Sequence, residues 1–167
     1  MKKLKVVLFL FLVSLVFSCG KTDTYPDEPI ITFKSLEKFT SINGLDTALR
    51  LTFSFTDGDG DIGLKAVDTL PPYNPGSEFY YNFFLKYYKK ENGVFNELVL
   101  LFPPNQRIPF IYNESNNKAL TGEILLDIEL AGLFSTGDTF RFEASIADRA
   151  LHKSNTIQTS EVVLTTQ

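Results

Sequence analysis

Three aspartates at alternate positions, Asp57, Asp59 and Asp61, run through the stretch Asp57-Gly58-Asp59-Gly60-Asp61-Ile62-Gly63. Hard divalent cations take oxygen ligands, and calcium accepts six to eight of them in flexible geometry. Carboxylates spaced by glycine let a short loop curl its oxygens toward one centre, because glycine tolerates the positive φ that such a curl requires. Counted from Asp57 as position one, Asp59 and Asp61 fall at three and five and Asp68 at twelve, the carboxylate positions of an EF-hand loop. Position six is Ile62 where that loop requires glycine, and the preceding segment reads as strand. The pattern therefore predicts a calcium site in a β-loop, completed by an acid from a neighbouring loop such as Asp148. A plain turn competes with it: Asp-Gly pairs punctuate hairpins, and Lys65 or Arg149 would neutralise the acids.

Other chemistries find little material. His152 is the one histidine and falls in a predicted exposed turn beside Lys153. Nucleophilic hydrolysis wants a nucleophile, a base and an orienting group, and zinc wants several histidine or cysteine ligands. Paired carboxylates would suffice for a glycosidase, but nothing singles out a pair across a cleft. The expectation is a protein that is not an enzyme. Capture of a glycan on tyrosines is an alternative, resting on Tyr73, Tyr80, Tyr88 and Tyr112 in a chain without tryptophan. Tyrosines packed with only their hydroxyls in water are the plainer reading.

The chain opens with three lysines among its first five residues and then runs apolar from Val6 to Phe17, broken by Ser14. That is the n-region and h-region of a secretory signal, too short for a bilayer span of about 20 apolar residues. Val16-Phe17-Ser18-Cys19 resembles the lipobox of bacterial lipoproteins, with a bulkier Phe17 than that motif usually carries. The resemblance implies cleavage before Cys19 and acylation of its thiol, which would account for a lone cysteine in an exported chain. Several acyl chains there would anchor stably. Gly20 is not the aspartate of an inner-membrane retention signal, so the expected place is the cell envelope, lipid-anchored in the outer membrane. Residues 1–18 are thus read as signal peptide, 19–29 as lipidated cysteine and flexible tether, and 30–167 as the folded domain.

Without residues 1–18 the chain keeps 13 basic residues against 20 acidic, net −7. That balance argues against nucleic acid, which wants a basic footprint. It suits a soluble or cation-binding surface.

Period-two alternation carries the rest. Ile31 and Phe33 mark a first strand; Leu49, Leu51, Phe53 and Phe55 mark a second, which leads straight into the acidic loop. An aromatic run from Phe79 to Lys90 has rings on both faces and reads as a central strand, or as one packed against core on one side and a partner on the other. Asn92-Gly93 turns it into a strand over 94–101. Pro103, Pro104 and Pro109 mark an irregular connection. Strands over 120–130, 140–146 and 156–165 follow, with Gly137-Asp138 as a turn. About seven antiparallel strands with no amphipathic helix predict an all-β sandwich.

Two stretches resemble known modules. Phe53-Ser-Phe-Thr-Asp-Gly-Asp-Gly-Asp-Ile-Gly63 looks like the acidic signature of small lipoproteins of Bacteroidetes-type envelopes. Asp148-Arg-Ala-Leu-His-Lys-Ser-Asn155 resembles the D-x-A-G-N-x-S-N turn of bacterial immunoglobulin-like modules, with Leu151 and His152 where glycine and asparagine are usual. The resemblance implies an Ig-like, fibronectin-III-like sandwich and carries no activity with it. In such a topology the loops after the second and sixth strands share one end, which brings Asp148 within reach of Asp57, Asp59 and Asp61. The functional expectation is an envelope binding or adhesion module with a calcium-stabilised loop. Glycan capture beside an outer-membrane transporter, or an accessory role in an envelope complex, are the alternatives.

Overall fold

The computed structural model describes residues 24–113, 118–130 and 134–165. The leader and Cys19 lie outside the described residues. Eight strands form two antiparallel sheets: β1 (Ile30–Thr40), β2 (Asp46–Asp57) and β5 (Leu120–Glu129) in the order β1-β2-β5, and β3 (Phe83–Glu91), β4 (Val94–Leu98), β6 (Thr139–Ile146) and β7 (Ile157–Gln158) in the order β4-β3-β6-β7, with β8 (Val162–Val163) also on β6. The protein is all-β and sandwich-like, with no α-helix among the described residues.

Alternation explains why these residues pair this way. Leu49, Leu51, Phe53 and Phe55 on β2 and Phe140, Phe142, Ala144 and Ile146 on β6 are all buried. They present one apolar row from each sheet to a shared core. The Phe53 and Phe83 rings stack across it with centroids 6.0 Å apart. Both rows run one step past their last apolar residue, to Asp57 on one and Asp148 on the other. Both aspartates are almost wholly enclosed.

Four sequence expectations are adjusted. Strand β1 extends to Thr40, where alternation pointed only to Ile31 and Phe33; a register shift between Phe33 and Ser35 breaks the period. The aromatic strand starts at Phe83, not Phe79, because Glu78–Tyr80 forms a single 3-10 turn. Asn82 is instead spent holding Ile108, accepting from its N–H at 2.6 Å and donating to its carbonyl at 3.2 Å. β4 stops at Leu98, short of residue 101, because the edge of β3 beyond it is occupied: Asn105 Oδ1 accepts the Leu85 N–H and Gln106 pairs with Phe83. The final strand is split at Thr159, whose hydroxyl accepts the Phe142 N–H and so replaces a ladder bond.

Candidate metal centre

The site is built where β2 and β6 end. β2 delivers Asp57, whose Oδ2 accepts the Asp61 N–H at 2.9 Å, folding the loop back on itself. Two glycines permit the crowding. A Cβ on Gly58 would lie 2.3 Å from the Tyr25 carbonyl oxygen, and Gly60, at φ +73°, leaves room for the Lys118 carbonyl oxygen, 1.9 Å from where its Cβ would be. The loop is thereby wedged between the segment before β1 and the start of β5. Its far side is tied down as well: Gly58 N–H donates to Pro26, Ile62 bridges to Asp148, and Ile111 N–H donates to Ile62.

From the other sheet comes Asp148. Its Oδ1 accepts the His152 N–H at 2.8 Å and its Oδ2 lies 2.9 Å from His152 Nδ1. The Arg149 N–H reaches Asp61 Oδ1 at 3.3 Å, joining the two loops. Asn155 closes the turn by clamping β1: its Oδ1 accepts the Ile31 N–H and its Nδ2 donates to the Ile31 carbonyl, at 2.8 and 2.9 Å.

Asp57, Asp59, Asp61 and Asp148 each offer one carboxylate oxygen, and these four lie within 4.8 Å of one another. Asp57 Oδ1 and Asp59 Oδ1 are enclosed and have no hydrogen-bond partner among the described residues. An enclosed carboxylate oxygen without a donor is costly. Burial first, then the charges of Asp59, Asp61 and Asp148, pushes the Asp57 carboxyl up to about 7, against the one hydrogen bond from Asp61 that holds it down. Asp61 is raised by burial and by Asp148 and Asp59, and Asp148 by burial, despite its hydrogen bonds from His152. His152 is raised by its bond to Asp148. A hard divalent cation relieves all of these at once, and this cluster of acids could hold one.

Neither of the basic residues expected to neutralise the loop enters it. The Arg149 guanidinium turns to Asp68, with Nε–Oδ2 at 3.2 Å and Nη2–Oδ1 at 3.1 Å, and stacks over Phe110. Lys65 also lies over Phe110, 4.6 Å from the ring centroid. Asp68 is accordingly not part of the cluster, which corrects the EF-hand count. It caps the Lys65 N–H and pairs with Arg149, and these bonds hold its carboxyl below the usual range against its burial. The fourth acid is Asp148 from the opposite sheet.

Each of the four tyrosines has a local partner. Tyr73 donates its hydroxyl to the Arg149 carbonyl. Tyr80 has Arg107 over its ring, and Tyr88 has Arg141 over its ring and its hydroxyl on Glu143. Tyr112 is exposed and meets Phe110 edge-on. His152, read from sequence as a surface residue, is partly exposed and is also the partner of a cluster carboxylate, for which its i,i+4 spacing from Asp148 was the available signal. Asn82 carried none, since a clamp on a distant backbone leaves no local pattern, and Asn155 showed only as the last residue of the D-x-A-G-N-x-S-N resemblance. No protein family, no curated protein and no solved structure matches this chain.

Proposed function

We propose that this chain is a non-catalytic, lipid-anchored protein of the cell envelope, a binding or adhesion module whose fibronectin-III-like sandwich is stiffened at one end by calcium. The observation that carries the reading is the meeting of four carboxylates from both sheets around an enclosed, unpartnered Asp57 Oδ1. The four oxygens lie within 4.8 Å of one another, a span that a calcium shell of about 2.3–2.6 Å covers. Magnesium dehydrates reluctantly and is seldom held by an all-protein cage, which makes it the weaker candidate. The strand order supports the fold type. Lettered in sequence, β1-β2-β5 against β4-β3-β6-β7 reads A-B-E against C′-C-F-G, the immunoglobulin plan with its fourth strand moved to the other sheet. The anchor rests on the lipobox-like Val16-Phe17-Ser18-Cys19 and the basic leader before it.

Thermal unfolding with calcium, magnesium or EGTA tests the metal. A ligand that binds only the folded state stabilises by about 2.7 kcal/mol at a hundred times its dissociation constant. Calcium is expected to raise Tm by several degrees and magnesium by much less. Identical melting curves in calcium and EGTA would remove the metal from the reading.

A further inference from the structure

The tether returns to the fold at the acidic end. Among the described residues the first backbone hydrogen bond to the fold is at Pro26, whose carbonyl accepts the Gly58 N–H at 2.8 Å, next to Asp57 and Asp59. From Gly20 to Pro26 there are seven residues, at most about 25 Å of fully extended chain. The sandwich is longer than that: the twelve residues of β2, which runs from the acidic end to the opposite one, span about 40 Å. A domain standing with its acidic end outward would need a tether as long as itself.

The acidic end is also fringed with exposed apolar side chains. Val67 and Leu70 belong to the loop pinned through Asp68 and Tyr73 to Arg149, and Tyr112 follows Ile111, which bonds Ile62. All three are three-quarters exposed or more. An aromatic ring and branched aliphatics beside a short lipid tether have the chemistry of an interfacial contact.

We infer that the acidic end of the sandwich rests against the bilayer that holds the anchor, with Leu70, Val67 and Tyr112 at the headgroup boundary and the turn around Ile42 facing away. This rests on the lipid anchor proposed above. It goes beyond that reading by fixing which end of the domain the lipid covers and which end is left for a partner.

The test uses the full chain, expressed with its leader in a bacterial host and reconstituted in vesicles of phosphatidylethanolamine and phosphatidylglycerol. Leu70→Cys, Tyr112→Cys and Ile42→Cys variants are labelled with an environment-sensitive fluorophore. All three positions are exposed, and each variant is used only if its melting temperature matches the parent. Nitroxide-bearing lipids are expected to quench the labels at 70 and 112 several-fold more than the label at 42. Equal quenching at the three positions, or stronger quenching at 42, overturns the orientation. Flotation with the vesicles is scored in parallel, with Cys19→Ser as the control. Protein that floats while its labels at 70 and 112 stay unquenched defeats the orientation alone. Protein that does not float, or floats equally without Cys19, defeats the anchor and the orientation together.

Discussion

Strand β2 begins and ends on a buried aspartate, and the two ends treat the carboxylate in opposite ways. At the start, Asp46 takes a hydrogen bond from Thr40 at 2.9 Å and one from the Thr165 N–H at 2.8 Å, and an ion pair from Lys38 at 3.0 Å. Burial works against its charge, but these partners outweigh burial and hold its carboxyl below the usual range. At the finish, Asp57 has, among the described residues, one backbone donor, three acidic neighbours and an oxygen with nothing to accept from. The same residue type on the same strand is a finished structural contact at one end and an unfinished one at the other. An acid that lacks partners where the fold could have supplied them is the place where the proposed cation would bind.

The largest effect expected from this contrast is at Asp46. Asp46→Ala strands the Thr165 N–H and Lys38, and is expected to lower the unfolding free energy by about 2–3 kcal/mol, less than a fully enclosed pair because Lys38 is partly exposed. Urea unfolding would measure it, and a loss below about 0.5 kcal/mol, the scale of an ordinary surface substitution, would erase the distinction between the ends.

Asp57→Asn is expected to have the opposite sign. In EGTA at pH 8 it removes one charge from a crowded cluster and should stabilise by about 1–2 kcal/mol, while abolishing the calcium shift. The pH dependence follows from the direction of the shift. A carboxyl raised from 3.8 to about 7 binds more protons when folded, so its contribution to metal-free stability is full below about 3.8 and is lost as pH rises through about 7. The gain from Asp57→Asn should therefore shrink at pH 5. Asp46, with a lowered value, behaves in reverse, its contribution being present above 3.8 and lost as pH falls through its folded value. Destabilisation by Asp57→Asn in EGTA at pH 8 would sink the view of an unfinished site.

The smallest effect is expected at Arg149. Its ion pair with Asp68 is partly exposed, so Arg149→Met should cost about 0.5–1 kcal/mol and leave calcium affinity within a few-fold. A tenfold or greater gain in affinity, read by calorimetry, would make Arg149 the neutraliser after all.

Much of this contrast was legible in the chain. Alternation through Phe53 and Phe55 continues to Asp57, and alternation through Ala144 and Ile146 continues to Asp148, so both acids extend the buried rows of their strands. What hid the rest was geometry with no local trace. The bulge after Phe33 erased the period of β1, Asn105 and Gln106 ended β4 from outside, and Arg149 chose Asp68 over the nearer-seeming loop for reasons of packing against Phe110. Counting spacings favoured Asp68 because it lies on the same loop. Asp148, 91 residues from Asp57, was expected through the shared end of an Ig-like topology, and the packing of the two sheets makes it the fourth acid.

The wedge of the acidic loop against the Tyr25 and Lys118 carbonyls, and its bridge to Asp148, has a consequence for the order of events in the life of the chain. Segments from the beginning, middle and end of the sequence must all arrive before four oxygens share a centre, and such long-range closure comes late in folding. A fragment or an unfolded chain would not offer the complete set of ligands, so the proposed ion would meet only the folded protein. On the proposed reading of an exported, calcium-binding chain, the ion would act as a latch on completed folding, engaging after export and never before it.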